Sequence, residues 1–244
     1  MGLFGREIEK TAAQTGMRVV RLTIDLFKAV PMRTLVAETR FERQGSRIAA
    51  IVSMLRPVDS DAPVARASGL LLRAQQHDNP YRGNTEYPLP CPSGTEPLRP
   101  VGAKKRRKPP AFFHERLDTR HGADDAGRYL WARMKQDLVA GEATSPFQMA
   151  AAMMDVIYGW GVRMDVERIR ALASGENDMP ALSINVDSTS YWERPFTGEW
   201  LGMRPSVISQ RDGIATVSNV LYDASGRVGT STSSALIQGK FRTP

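Results

Sequence analysis

The chain has 244 residues, 41% of them hydrophobic, a single cysteine and a formal net charge of +7. That apolar content supplies a core for one large domain or two small ones and excludes disorder throughout, while a lone Cys91 excludes an intramolecular disulfide and a thiolate metal cluster. No run reaches the roughly 18–20 apolar residues of a membrane span, and MGLFGREIEK carries Arg, Glu and Lys where a secretory leader needs its apolar stretch, so a soluble, cytoplasmic protein is expected.

The first predicted element is a short amphipathic helix over LFGREIEKTAAQ, with Leu3, Phe4, Ile8 and Ala12 on one face and Gly16 where a C-terminal cap would stand. Arg18 to Val30 then alternates, setting Val20, Leu22, Ile24 and Leu26 against Arg21, Thr23 and Asp25, and Pro31 ends the run. A hairpin about Gln44-Gly45 joins Leu35–Arg43 to Ser46–Leu55, and Val64–Arg73 gives a further strand. The order is one helix followed by four strands.

Gln75 to Pro110 is dense in Pro, Gly and charge, has neither helical nor strand periodicity and is expected to link two domains. It holds the one basic cluster, Lys104-Lys105-Arg106-Arg107-Lys108, with no aromatic interleaving and no helical pattern. A solvated linker is the first reading of that cluster, a contact to the phosphates of a nucleotide-type ligand the second, and nucleic acid a distant third. The three histidines, His77, His114 and His121, all lie in or beside this middle region, and no metal is expected.

Beyond the linker, Phe112–Asp118 and Arg128–Val139 are strand candidates. A helix starts sharply at Ser145-Pro146-Phe147-Gln148: Ser145 can cap, Pro146 suits the first helical position and Gln148 can complete a capping box. The helix that follows, FQMAAAMMDVIYGW, is apolar on nearly every side and is expected to be surrounded. Its Asp155 is assigned a structural role at a tight contact.

After a charged excursion, Leu182 to Trp200 (LSINVDSTSYWERPFTGEW) alternates again, with Leu182, Ile184 and Val186 on one face and Asn185, Asp187, Thr189 and Tyr191 on the other, and Pro195 stops it. Gly213–Tyr222 and Val228–Gln238 follow, separated by the turn Asp223-Ala224-Ser225-Gly226, so residues 182–238 are expected to form an antiparallel meander, with a turn-prone Arg211-Asp212-Gly213 joining its second and third strands. The two ends of the chain thus repeat one order of elements, even to TIDLFKAVP and NVDSTSYWERP. The second copy has residues 111–140 before its helix and the first has no counterpart. The first copy is therefore expected to lack its opening strand, through a late start codon or a reduced domain, which exposes a sheet edge and invites association.

At this point the residues resemble a known family, the acyl-CoA thioesterase II-like double-hotdog proteins. RLTIDLFKAVPM with VARASGLLLR is similar to the family's first hotdog; LVAGEATSPFQMAAAMMD, INVDSTSYWERPFTGEWLG and VLYDASGRVGTS are similar to its second. The resemblance implies an α+β fold, a double hotdog of two antiparallel sheets each wrapped around a central helix, with the first hotdog lacking its opening strand. The corresponding domains are 1–74 and 111–244, with 75–110 between them. It also implies a homo-oligomer, dimeric or higher, acting on an acyl-CoA with no cofactor. In the family a water held by an Asp, a hydroxyl residue and a Gln hydrolyses the thioester. The motif Val186-Asp187, Tyr191-Trp192, Arg194-Pro195-Phe196 carries the Asp to Asp187, the hydroxyl falls at Ser206 or Ser209, and the Gln position falls at about Ser233, where serine is too short to hold water as a glutamine amide would. Asp187 would then orient the water or act as general base, and the thioester oxygen would lie near backbone N–H groups at a helix start. Read from its residues alone, Asp187 could equally pair with a neighbouring Arg, and the three serines could be ordinary strand hydroxyls.

Other reaction classes lack their residues. There is no Gly-x-Ser-x-Gly elbow, no phosphate-binding glycine loop and no histidine at the helix start for a hydratase. Two alternatives to a hydrolase stay open: a non-catalytic acyl-CoA-binding or scaffold protein of the same fold, and nucleic-acid binding through the linker.

Overall fold

The computed structural model describes residues 1–75, 96–97, 116–163 and 183–237, with the side chains of 96–97, 156–163 and 183 outside that description. The predicted basic cluster, Cys91, His77, His114 and the excursion Asp165–Asp178 lie outside the described residues.

In chain order the elements are α1 (Gly2–Ala13), β1 (Arg18–Leu26), β2 (Leu35–Gln44), β3 (Ile48–Pro57), β4 (Ala65–Leu72), β5 (Glu96–Pro97), β6 (Leu117–Asp124), β7 (Gly127–Met134), α2 (Pro146–Arg163), β8 (Ser183–Asn185), β9 (Asp187–Trp192), β10 (Leu201–Arg211), β11 (Ile214–Asp223) and β12 (Gly226–Ile237). Within the predicted linker, Glu96–Pro97 pairs with β6. Of the strand expected over Phe112–Asp118, residues 112–115 lie outside the described residues; β6 runs from Leu117 to Asp124 and turns tightly into β7, because Gly127, at φ +114°, supplies a backbone geometry that a side chain would strain.

Among the described residues twelve strands form one antiparallel sheet, ordered β2-β3-β4-β1-β9-β12-β11-β10-β7-β6-β5, with β8 also on β12. The expected meander over 182–238 holds only for β10–β12. β9 pairs with β12 rather than β10, just as β1 pairs with β4 rather than β2. The path β1–β4 is therefore repeated by β9–β12. The two halves meet where β1 lies antiparallel to β9, from Arg21 opposite Tyr191 to Asp25 opposite Asp187, so two expected sheets are one continuous sheet.

Both helices cover one face of it. α1 lies against β1–β4 through Phe4, Ile8 and Ala12, while Leu3 turns outward. α2 lies against β7–β12 and, as its composition predicts, Met149 through Met154 are all buried. The helices also touch each other: a Cβ on Gly5 would stand 2.6 Å from Ala151 Cβ, so this close approach requires a residue without a side chain. Glu9 of α1 completes the contact, accepting from Ser145 Oγ (2.7 Å) and Gln148 Nε2 (2.8 Å) at the start of α2. Ser145 caps as predicted, its Oγ accepting the Gln148 N–H at 3.1 Å. The capping box is only half formed, because the Gln148 amide is drawn to the Glu9 carboxylate rather than back to Ser145.

Gly5→Leu should force the helices apart and lower stability by about 1–3 kcal/mol in chemical denaturation. Glu9→Ala leaves the buried Gln148 amide without its acceptor and should cost about 1–3 kcal/mol.

Candidate functional site

Asp187 sits at a break in the strand that the alternation did not predict. Asn185 pairs with Ala235 and Thr189 with Thr232, so β8 and β9 carry one more residue than β12 between those two pairs. Val186 and Asp187 both face Ser234: the Val186 N–H donates to Ser234 O (3.1 Å), and the Ser234 N–H donates to Asp187 Oδ1 (2.6 Å). The carboxylate thus stands in for a backbone carbonyl in the ladder. With its amide turned so that the nitrogen faces them, the Asn185 side chain closes the bulge, donating to Ser234 O (3.1 Å) and Asp187 O (3.0 Å).

A bulge of this kind shifts the phase of the strand. Ile184 and Val186, expected inside, are 44% and 39% exposed, and Ser188, Ser190 and Trp192 point inward instead. Asp187 therefore lies on the face away from the helices, half-buried, opposite Asp25. Among the described residues it makes no ion pair, with an Arg or otherwise, and its Oδ2 accepts no hydrogen bond.

The predicted serines are not gathered round it. Ser209 faces Thr216, and Thr216 faces Ser234, so Ser209 lies in the row of Asp187 but three strand spacings away, about 14 Å. Ser206 is the extra residue of a second bulge, between Pro205 and Val207, and is exposed. Ser233 lies on the opposite face, fully buried, and its Oγ donates to Ser188 Oγ at 2.9 Å. It belongs to an inward polar patch of Ser188, Ser190, Ser231, Ser233 and Asn219, within which Ser231 Oγ and Asn219 Nδ2 have no hydrogen-bond partner among the described residues. Asp155, assigned a structural role, is exposed on α2.

The rest of the Asp187 motif anchors the strand. Trp192 is buried and meets Phe147 of α2 edge to face, ring centroids 5.9 Å apart. Arg194 forks onto Asp223, Nη1 to Oδ2 at 2.6 Å and Nη2 to Oδ1 at 2.5 Å, and adds bonds to the carbonyls of Arg227 and Gly226. Burial pushes the Asp223 carboxyl up, but Arg194, Ser225 and Thr197 together hold it below its ordinary value. The Asp223-Ala224-Ser225-Gly226 turn was legible in the sequence, whereas its partner Arg194, 29 positions earlier, carried no local signal.

A groove of about 660 Å³ opens at the start of α2, lined by Arg133, Lys135, Thr144, Ser145, Pro146 and Met149 among others. Its lining balances two cations, Arg133 and Lys135, with two carboxylates, Asp137 and Glu199, and Arg133 is already engaged by Asp118 (3.2 Å) and Glu199 (3.3 Å). The sequence reading did not find it, because its wall comes from β7 and from the segment joining β7 to α2. Among the described residues no group of three or more His, Cys, Asp or Glu side chains could hold a metal, and no helix is long and apolar enough to cross a membrane.

A broad antiparallel sheet with helices laid along one face is the hotdog class of fold. A hotdog-fold protein of unknown function from Alicyclobacillus acidocaldarius superposes with a TM-score of 0.63 at 14% identity, over 98% of this chain and 87% of that one. The acyl-CoA thioesterase II TesB2 from Mycobacterium marinum does so with a TM-score of 0.64 at 13% identity, over 98% and 88%. A TesB protein from Mycobacterium avium subspecies paratuberculosis gives 0.63 at 14%, over 98% and 86%. No curated protein matches in sequence. The family model for the acyl-CoA thioesterase C-terminal domain matches residues 90–237, and the chain belongs to that family.

Asp223 contributes stability that is complete above the ordinary carboxylate range and is lost as pH falls through its depressed value. Glu142, held down to about 2 by hydrogen bonds from Arg6 and Lys10, behaves the same way. These two groups should therefore make the thermal unfolding midpoint fall steadily from about pH 4 towards 2. Arg194→Ala strands a buried carboxylate and should cost about 3–5 kcal/mol at neutral pH.

Proposed function

We propose that the chain is a double-hotdog acyl-CoA thioesterase, with hotdogs at 1–74 and 111–244, in which Asp187 orients the water that attacks the thioester carbonyl. The reading rests on family membership together with one observation: Asp187 is locked by the Ser234 N–H through Oδ1 while Oδ2 accepts no hydrogen bond among the described residues. A carboxylate fixed at one oxygen and open at the other can hold a water at a set angle and take its proton as the C–O bond forms. The thiolate of coenzyme A then leaves as the tetrahedral centre collapses to the free acid. Where the family has a glutamine, Ser233 is engaged with Ser188 on the other face, so Asp187 works without that partner. Thr189 and Ser234 are the nearest hydroxyls on its own face.

The engaged Ser233 and the distance to Ser209 also favour a second reading, a protein of the same fold that binds acyl-CoA without hydrolysing it. Thiol release from acyl-CoAs of graded chain length separates the two. Turnover that Asp187→Asn lowers by about 10²-fold or more, with the unfolding midpoint unchanged, supports the hydrolase. Acyl-CoA binding with no thiol release from any substrate establishes the binding protein instead.

A further inference from the structure

The outer edge of β2 carries a pattern that matches itself, and we propose that two copies of the chain join there, β2 antiparallel to β2 about a two-fold axis at Thr39. This does not depend on whether the protein hydrolyses acyl-CoA.

Among the described residues β2 pairs only with β3. The Val58 N–H donates to Thr34 O at 3.1 Å, which fixes the phase of the ladder. The alternation of an antiparallel pair then turns the backbone groups of residues 34, 36, 38 and 40 towards β3 and those of Leu35, Ala37, Thr39 and Phe41 away from it. A bulge between Phe41 and Arg43 ends that outward row. The donors and acceptors available to a second strand are therefore those of Ala37, Thr39 and Phe41, and only a register centred on one of these positions or midway between two of them uses them.

Side chains choose among those registers. Centred on Arg40, the register sets Arg40 against Arg40 and Glu38 against Glu42; centred on Glu38, it sets Glu38 against itself. Both place like charges face to face, which destabilises a strand pair. Centred on Thr39, Glu38 of each copy faces Arg40 of the other, twice, and on the opposite face Ala37 meets Phe41, twice. Both charges are available for this. Arg40 is exposed and makes no ion pair among the described residues, and Glu38, 60% exposed, receives both of its hydrogen bonds from Arg56 on Oε1, leaving Oε2 without one. Ala37 and Phe41 already pack against the main core from its margin, so a second copy would close that margin rather than build a new one. Charges on an edge ordinarily repel other strands. Here their alternation in sign excludes most strands while fitting a second copy.

Sedimentation velocity on the whole chain tests the proposal. The wild type should sediment as a dimer, and Arg40→Glu, which turns both Glu–Arg pairs into Glu–Glu, should raise the dimer dissociation constant by at least about tenfold while the far-UV circular dichroism shows the chain still folded. The double exchange Glu38→Arg with Arg40→Glu restores opposite charges in this register alone and should restore the dimer. A monomeric wild type overturns the proposal, including one in which hydrogen exchange finds the β2 edge covered by another part of the same chain. So does a dimer indifferent to Arg40→Glu, or one that the double exchange fails to recover.

Discussion

The pairing of β1 with β9 is the constraint on which the rest of this structure depends. Each half of the chain contains the same four-strand path, whose first strand in sequence is held by its last, β1 beside β4 and β9 beside β12. Those first strands are left facing outward, and joining them buries two edges at once. The join sets the distance between α1 and α2, which is why Gly5 and Ala151 come so close and why Glu9 can reach Ser145 and Gln148. It also sets Thr23 Oγ1 3.1 Å from Thr189 Oγ1 and places Asp25 directly across from Asp187.

Two carboxylates opposite one another on a strand pair work against the pairing. They stand at the join with no ion pair to either one among the described residues, although Arg66 of β4 lies directly across from Asp25, and that is the local cost of having Asp187 where it is. The bulge at Val186 carries the same message from the other side of the strand: an ordinary ladder would give Ser234 N–H a backbone carbonyl, and here it has a carboxylate. Backbone irregularity and charge opposition coincide at one residue, while the surrounding motif is spent on fixing that residue in place, Trp192 against Phe147 and Arg194 on Asp223.

Much of this was legible in the sequence because it is written locally. The helix over 2–13, the Ser145 cap, the buried run Met149–Met154 and the turns at Gly45, Asp212-Gly213 and Gly226 all follow from residues within a few positions of one another. The resemblance of residues 184–202 to a family motif singled out Asp187 as a candidate. What escaped was set by pairs distant in sequence. Alternation over Leu182–Val186 pointed Ile184 and Val186 inward because a bulge leaves no mark in a strand's composition, and its phase depends on β12. Neighbouring strands in sequence suggested a meander, whereas the first strand of each half is held by the last. Ser209 and Ser233 were matched by position along the chain, yet sheet order places one three strands away and the other on the opposite face.

Amide hydrogen exchange across the β1–β9 join tests the central claim most directly. If the two halves form one sheet through this pair, the Leu26 amide, which donates to Val186 O at 2.9 Å, and its neighbours in both strands should exchange only through global unfolding, as slowly as the buried strand amides of β4 and β12. Exchange at the join that runs faster than in either half, with each half keeping its own protection, would mean that the halves are separate bodies and that Asp187 is not held by their union.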